Sequence, residues 1–339
     1  MKEQSTKLKK LIESSERILI TSHIGSDGDS VSSSLLLYAI LRLSYPNKQI
    51  SVSMEEEPQG LSFLPGLDEV SFGGLADTLN DLKPTLVIIL DANNINRVSR
   101  QPQIVRDALR ALKTKVVIID HHEPENIESN DLYVNNSSPA VTLDIYEIFI
   151  QELGYRKPEN YAQIAATGIY TDTGGFINRN PNFQRTFDVI PKLIEDGANL
   201  EVISSNINKI DDEGFAVLRE LIDNTQFESD YTYSFISDET VAPGNNLEAI
   251  HQAADVFRSQ FLRNIDGRSW GFIVYKDILA PASTYSVSFR AISGTKDVAQ
   301  IALKLGGGGH KPAAGAKFVA YSVQEAIDKV KQAITEAGQ

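Results

Sequence analysis

Two unbroken apolar runs, Leu86–Leu90 and Val116–Ile119, end abruptly in ionisable residues, and this pattern constrains the fold more than any other feature of the chain. Five and four consecutive β-prone residues bounded by polar ones read as strands buried on both faces, as in parallel sheets. The first run ends at Asp91 and the second at Asp120-His121-His122. A third short β-rich run, Arg17–Thr21, leads into His23, Asp27 and Asp29. Helical stretches separate them: Val31–Leu43 is apolar and Arg106–Lys113 amphipathic. Strands alternating with helices predict a parallel α/β sheet. Ligands bind such sheets at the carboxyl ends of their strands, so the three polar clusters are expected to converge.

Helices are expected over Thr142–Leu153, Tyr161–Ile169 and Phe183–Asp196, with Gly197 at a C-cap position. Beyond residue 228 the pattern changes. Thr232–Ser237, Trp270–Lys276, Tyr285–Ile292 and Ala316–Ala320 read as strands, and Leu247–Arg263, Asp297–Leu305 and Val323–Glu336 as helices. The expectation is a catalytic domain over 1–198, a helical linker over 199–228 and a smaller α/β domain over 229–339, with a cleft between the two domains.

The 339 residues suffice for two domains with real cores. A net charge of −13 argues against coating long duplex nucleic acid, which is driven by phosphate neutralisation. It leaves a small anionic substrate open, because bound cations are often the largest charges in a site. The absence of cysteine excludes disulfides and thiolate zinc sites. The N-terminus lacks the form of a signal peptide, and no apolar run approaches the ~20 residues of a membrane helix. A soluble, cytoplasmic protein is expected.

Each polar cluster has a plain structural reading beside a chemical one. His23-x-x-x-Asp27-x-Asp29 offers imidazole and carboxylates suited to manganese or a similar divalent ion. The same residues also read as a turn capping the helix that begins near Ser30. Asp91 alone reads as a strand-end turn, and Asp172 in Tyr170-Thr-Asp-Thr-Gly-Gly likewise. Asp120-His121-His122 would be costly to desolvate without metal, charge or hydrogen-bond partners. Together they supply at least two histidines and four aspartates, enough ligands for two cations sharing one carboxylate.

At this point the chain resembles the DHH phosphoesterase family. The matching residues are His23-Ile-Gly-Ser-Asp27-Gly-Asp29, Asp91, Asp120-His121-His122 and Asp172-Thr-Gly. Later, Gly306-Gly-Gly-Gly309-His310-Lys311-Pro-Ala-Ala-Gly315 and Ser288-Phe-Arg290 resemble motifs of the DHH-associated C-terminal domain. Phe63-Leu-Pro-Gly66 and Leu193-Ile-Glu-Asp-Gly197-Ala also look like stretches of this family, so the likeness covers nearly the whole chain. It is nearest to the stand-alone oligoribonuclease branch, whose members degrade very short RNA and dephosphorylate phosphoadenosine phosphate.

The resemblance implies one metal held by His23, Asp27 and Asp91, and another by Asp29, Asp91, His121 and Asp172. Asp91 bridges them, His122 faces the scissile phosphate, and Asp120 orients a ligand histidine. Two Mn2+ ions are implied, with Mg2+ or Co2+ as substitutes. Ser288, Arg290, Gly307, Gly308, Gly309 and His310 would bind substrate: a short single-stranded RNA or DNA oligonucleotide, or a dinucleotide. The alternative is a phosphodiesterase for cyclic di-AMP or its linear product pApA. No membrane partner is expected; a homodimer is left open.

The glycine run has its own reading as a backbone nest for an anion, or as a flexible turn. The chain departs from the family at Ser26, Ser30 and Ser32-Ser33, beside the expected ligands. Where the family often carries arginine after Asp-Thr-Gly-x-Phe, this chain has Ile177, with Arg179 and Arg185 nearby as substitutes. His251 reads as exposed or structural. Trp270, Tyr275 and Tyr285 read as core residues, with base stacking as the alternative.

Overall fold

A computed structural model describes residues 2–338, except 125, 179–181, 242–245, 279 and 281–282. The chain divides into two compact units, Met1–Ile207 and Asn208–Gln339.

The first unit is built on six strands: β1 (Arg17–Thr21), β2 (Gln49–Met54), β3 (Val70–Phe72), β4 (Leu86–Leu90), β5 (Lys115–Ile119) and β6 (Leu132–Val134). All pairings are parallel, in the order β3-β2-β1-β4-β5-β6. The order reverses between β1 and β4, the topological switch point at which doubly wound sheets take their ligands.

Alternate residues of the central strands enter different layers. Ile18, Ile20, Leu86, Ile88, Leu90, Val117 and Ile119 join the larger core. Leu19, Val87, Ile89, Val116 and Ile118 join the smaller one on the opposite face. Helices on both faces remove these strands from water, which is why the runs contain no polar residue.

Helices α1 (Lys2–Glu13), α2 (Gly28–Ser44), α6 (Val141–Ile145), α7 (Tyr161–Asp172), α8 (Gln184–Glu195) and α9 (Leu200–Ile207) supply the larger layer. A π-helix, Tyr146–Glu152, continues directly from α6. Helices α3 (Leu75–Leu82), α4 (Ile95–Val98) and α5 (Pro102–Leu112) cover the other face.

The second unit pairs six strands in the order β11-β12-β10-β9-β8-β7. They are β7 (Gln226–Phe227), β8 (Tyr231–Phe235), β9 (Trp270–Lys276), β10 (Thr284–Ala291), β11 (Gly308–His310) and β12 (Ala313–Val319). Only the β8–β9 pairing is parallel. Helices α12 (Val298–Lys304) and α13 (Val323–Glu336) pack on one face, α10 (Asp212–Asp223) and α11 (Leu247–Gln260) on the other. Trp270, Tyr275 and Tyr285 are buried, so core packing and not base stacking accounts for them.

The glycine run is not a turn throughout. Gly308–His310 forms an edge strand paired with Ala313–Gly315, because a chain without Cβ atoms can lie close against the neighbouring backbone. A Cβ on Gly307 would approach the Gly315 carbonyl oxygen to 2.1 Å. Among the described residues, no helix is long and apolar enough to cross a membrane.

Candidate active site

The site gathers at the carboxyl ends of β1, β4 and β5. His23 follows β1, and Asp27 caps α2 through its Oδ1, which accepts from the backbone N–H groups of Asp29 and Ser30. The capping reading of this segment therefore holds, and it leaves the chemical one open. Asp27 caps the helix, and the same oxygen lies 3.7 Å from His23 Nε2.

Asp91 follows β4 in the left-handed region, with φ +58°. Aspartate tolerates this conformation better than most residues, and such strain concentrates at functional sites. Its carboxylate is buried between three imidazoles. His23 Nε2 lies 3.3 Å from Oδ2, while His121 Nε2 and His122 Nδ1 each lie 3.4 Å from Oδ1. That Oδ1 is buried with no hydrogen-bond partner among the described residues.

Asp29 is buried on the first turn of α2. Its two oxygens accept from the N–H groups of Val141 at 2.6 Å and Thr142 at 2.8 Å. Asp172 is the last residue of α7, which runs three residues beyond the helix expected from the sequence. A helical turn thus holds it 3.6 Å from His121 Nδ1.

Asp120 was expected to orient a ligand histidine. Its fully buried Oδ1 lies 2.8 Å from His122 Nδ1 and accepts from the backbone N–H of His121. The ring of His121 is instead oriented by the Ser138 carbonyl, 2.9 Å from Nδ1.

These side chains form three groups able to hold a cation: His23, Asp27 and Asp91; Asp29, His121 and Asp172; and Asp91, His121 and His122. Within each group the donor atoms lie within 4.8 Å of one another.

The electrostatics match that arrangement. Burial lowers the pKa of His23, but the carboxylates of Asp27 and Asp91 outweigh it and raise the group to about 11. His121 is likewise raised to about 11, burial being overcome by Asp91 and Asp172. Burial pushes Asp172 up to about 7, with repulsion from Asp91 and Asp27 adding to it against the pull of His121. Asp29 is raised by burial and by the charges of Asp91 and Asp172. Burial opposes ionisation of Asp91, but His121 and His23 hold its carboxyl well below the usual range. An acidic cluster this costly to bury, with an oxygen lacking a donor, fits hard divalent cations chemically.

In the second unit the expected residues lie in two rows across three strands. Arg290 and His310 both register with Ala313, and Ser288 and Gly308 both register with Gly315. Partners in register project from one face, and the small residues of β12 leave space between them. Burial, together with Arg258 and Arg263, lowers the Arg290 guanidinium to about 10. Arg258 was not recognised in the sequence; its Nη1 donates to Ser288 Oγ at 3.0 Å. A cavity of about 470 Å3 borders Ser288, Gly307 and Gly315, with half-buried His251 and buried Tyr275 on its wall.

Of the two arginines considered near Ile177, Arg179 lies outside the described residues. Arg185 is engaged in ion pairs with Asp144 and Glu147.

Comparison with known proteins agrees with this architecture. Residues 17–169 match the DHH family N-terminal domain, and residues 229–336 match the DHHA1 domain. A Bacillus subtilis protein named bifunctional oligoribonuclease and PAP phosphatase NrnA is 29% identical over 331 residues, covering 95% of each chain. A Thermus thermophilus protein of the same name is 27% identical over 329 residues, covering 94% of this chain and 89% of its own length. The crystal structure of an exopolyphosphatase-related protein from Bacteroides fragilis shares the fold at a TM-score of 0.83 and 21% identity, covering 99% of this chain and 96% of that one. With its acid- and histidine-tipped parallel sheet followed by a glycine-edged second domain, the chain carries a DHH family N-terminal domain and a DHHA1 domain.

Proposed function

We propose that the chain is a phosphoester hydrolase of the oligoribonuclease type. It uses two Mn2+ ions to cleave short oligonucleotides to 5′-mononucleotides, and it also converts 3′-phosphoadenosine 5′-phosphate to AMP. The observation that carries this reading is that two of the three cation-holding groups share one buried, donor-poor carboxylate, Asp91, and that the third, Asp29, His121 and Asp172, joins them through His121.

His23, Asp27 and Asp91 would hold one ion, and Asp29, Asp91, His121 and Asp172 the other. When bound, the ions lower the pKa of water and neutralise charge on the phosphoryl oxygens. The protein's own contribution is preorganisation. Asp91 is pinned at a strand end, Asp29 by two backbone N–H groups, and Asp172 by the last turn of α7. Asp120 engages Nδ1 of His122, which leaves Nε2 as the nitrogen able to meet a phosphate oxygen. Arg290, Ser288 and His310, with Gly307, Gly308 and Gly309, would grip a second phosphate. Arginine suits this role because its fork matches phosphate oxygens.

The test is mononucleotide release from di- to pentaribonucleotides with added Mn2+, run beside phosphoadenosine phosphate, pApA, cyclic di-AMP and pyrophosphate. Preferred turnover of the short RNAs is expected. Nucleotide binding without turnover of any of them would overturn the hydrolase reading. Preference for cyclic di-AMP or pApA would move the substrate to a second messenger.

A further inference from the structure

Asp144 in α6 is fully buried, yet it belongs to none of the cation-holding groups. Its Oδ1 accepts from Arg185 Nη2 at 2.8 Å and from Asn136 Nδ2 at 3.1 Å, and its Oδ2 from Ser138 Oγ at 2.7 Å. Arg185 is itself held by Glu147 at 2.5 Å and reaches the Asn136 carbonyl at 3.4 Å. The loop over residues 136–140 is therefore wound around one buried carboxylate and its guanidinium.

The loop and the residues that follow it act on the site at two points. The Ser138 carbonyl meets His121 Nδ1 at 2.9 Å. Immediately after the loop, the N–H groups of Val141 and Thr142 hold both oxygens of Asp29. Asp29 and His121 belong, with Asp172, to a single cation-holding group. Among the described residues, the hydrogen bonds of His23, Asp27 and Asp91 include none to this loop. A buried ion pair is weak evidence for stability, since apolar residues of similar volume often serve as well. Geometric specification is the better account of this one.

We infer that Asp144, clamped by Arg185, is a positioning residue for one cation position, that of Asp29, His121 and Asp172, and leaves the position of His23, Asp27 and Asp91 untouched. This rests on the two-cation reading above. Groups that orient metal-bound histidines and carboxylates typically change affinity by about 10–100-fold when removed.

The experiment is a calorimetric Mn2+ titration of the full-length chain, with Mn2+ paramagnetic resonance to count sites, on wild type, Asp144→Asn and Arg185→Lys. Asp144→Asn is expected to weaken one of two sites by about 10–100-fold and leave the other unchanged. In turnover assays, kcat should fall with little change in KM and recover in part at raised Mn2+. Arg185→Lys keeps the charge but not the fork, and should show a smaller loss at the same site. Folded variants with both sites unchanged, or with both weakened equally, would overturn the assignment. If Asp144→Asn does not fold, Arg185→Lys decides by the same criteria. Wild type that takes up two ions yet cleaves no ester would sink the proposed function, while the titration would still decide the positioning role.

Discussion

A Cβ on Gly28 would stand 2.2 Å from the Thr171 hydroxyl oxygen and 2.6 Å from the Thr171 Cβ. Gly28 separates Asp27 from Asp29 at the start of α2, and Thr171 precedes Asp172 at the end of α7. The closeness of the two helices is therefore also the closeness of three candidate ligands. Gly28→Ala must push α2 from α7, at a cost of about 1–3 kcal/mol for overpacking. Lower thermal stability and weakened Mn2+ uptake are expected together. Adding Thr171→Ala should not restore either, because the Thr171 Cβ itself is too near. A Gly28→Ala protein with wild-type Mn2+ affinity would contradict this account.

Asp91 combines a left-handed backbone with the carboxylate common to the two proposed ion sites. Asn keeps the side-chain size and tolerance of positive φ but loses the charge. Both Asp91→Asn and Asp91→Ala should lose at least about 100-fold in kcat, on the scale of a lost electrostatic catalytic group. Asp91→Asn should melt higher than Asp91→Ala. Steady-state kinetics and thermal melts on both variants check this. Full activity in Asp91→Ala would remove the bridging role.

Cation binding should compete with protons. In the metal-free protein, Asp172 is raised to about 7 and His23 and His121 to about 11. A ligand must shed its proton to bind, so Mn2+ affinity should rise with pH from 6 to 8 as Asp172 ionises. The histidines stay protonated throughout that window and release protons only on binding. Proton release, measured by calorimetry in buffers of different ionisation enthalpy, should be larger at pH 6 than at pH 8. A pH-independent affinity would contradict the ligand set.

In the second unit, burial and the charges of Arg258 and Arg263, against the pull of Asp255, lower the pKa of Arg290 to about 10. The charge of an anion at this point would offset the desolvation cost and the repulsion felt by the guanidinium. Arg290→Ala should weaken AMP binding to the full-length chain by about 1.5–3 kcal/mol, the usual worth of a hydrogen bond to a charged group. The weakening should shrink at high salt. Unchanged AMP affinity in calorimetry would detach Arg290 from substrate.

How much of this was legible in the sequence follows from range. Leu86–Leu90 coincides with β4, and Val116–Ile119 lacks only Lys115 of β5, because unbroken apolar runs ending in acids leave little choice. Strands β3 and β6, of three residues each, were missed; they exist through pairing with neighbours that no local pattern announces. The glycine run carried no strand signal, since its pairing depends on the small residues of β12. Asp144 and Arg185 meet across 41 positions; Asp144 alone reads as an ordinary helix residue, and Arg185 reads only as a substitute arginine near Ile177. Most candidate ligands lay at strand ends, where burial and charge conflict visibly; the groups that aim them lay where no such conflict shows.

One oxygen of Asp27 serves two masters: it ties off the start of α2 and faces His23 across the proposed ion position. Uptake of the ion and winding of that first helical turn therefore draw on the same oxygen. A cation pulling on the oxygen polarises it away from the amides of Asp29 and Ser30, while fraying of the turn swings it out of reach of the cation. Folding of the segment and loading of the metal should thus be felt as a single event. Hydrogen exchange at the amides of residues 29 and 30 would report it without any substrate present.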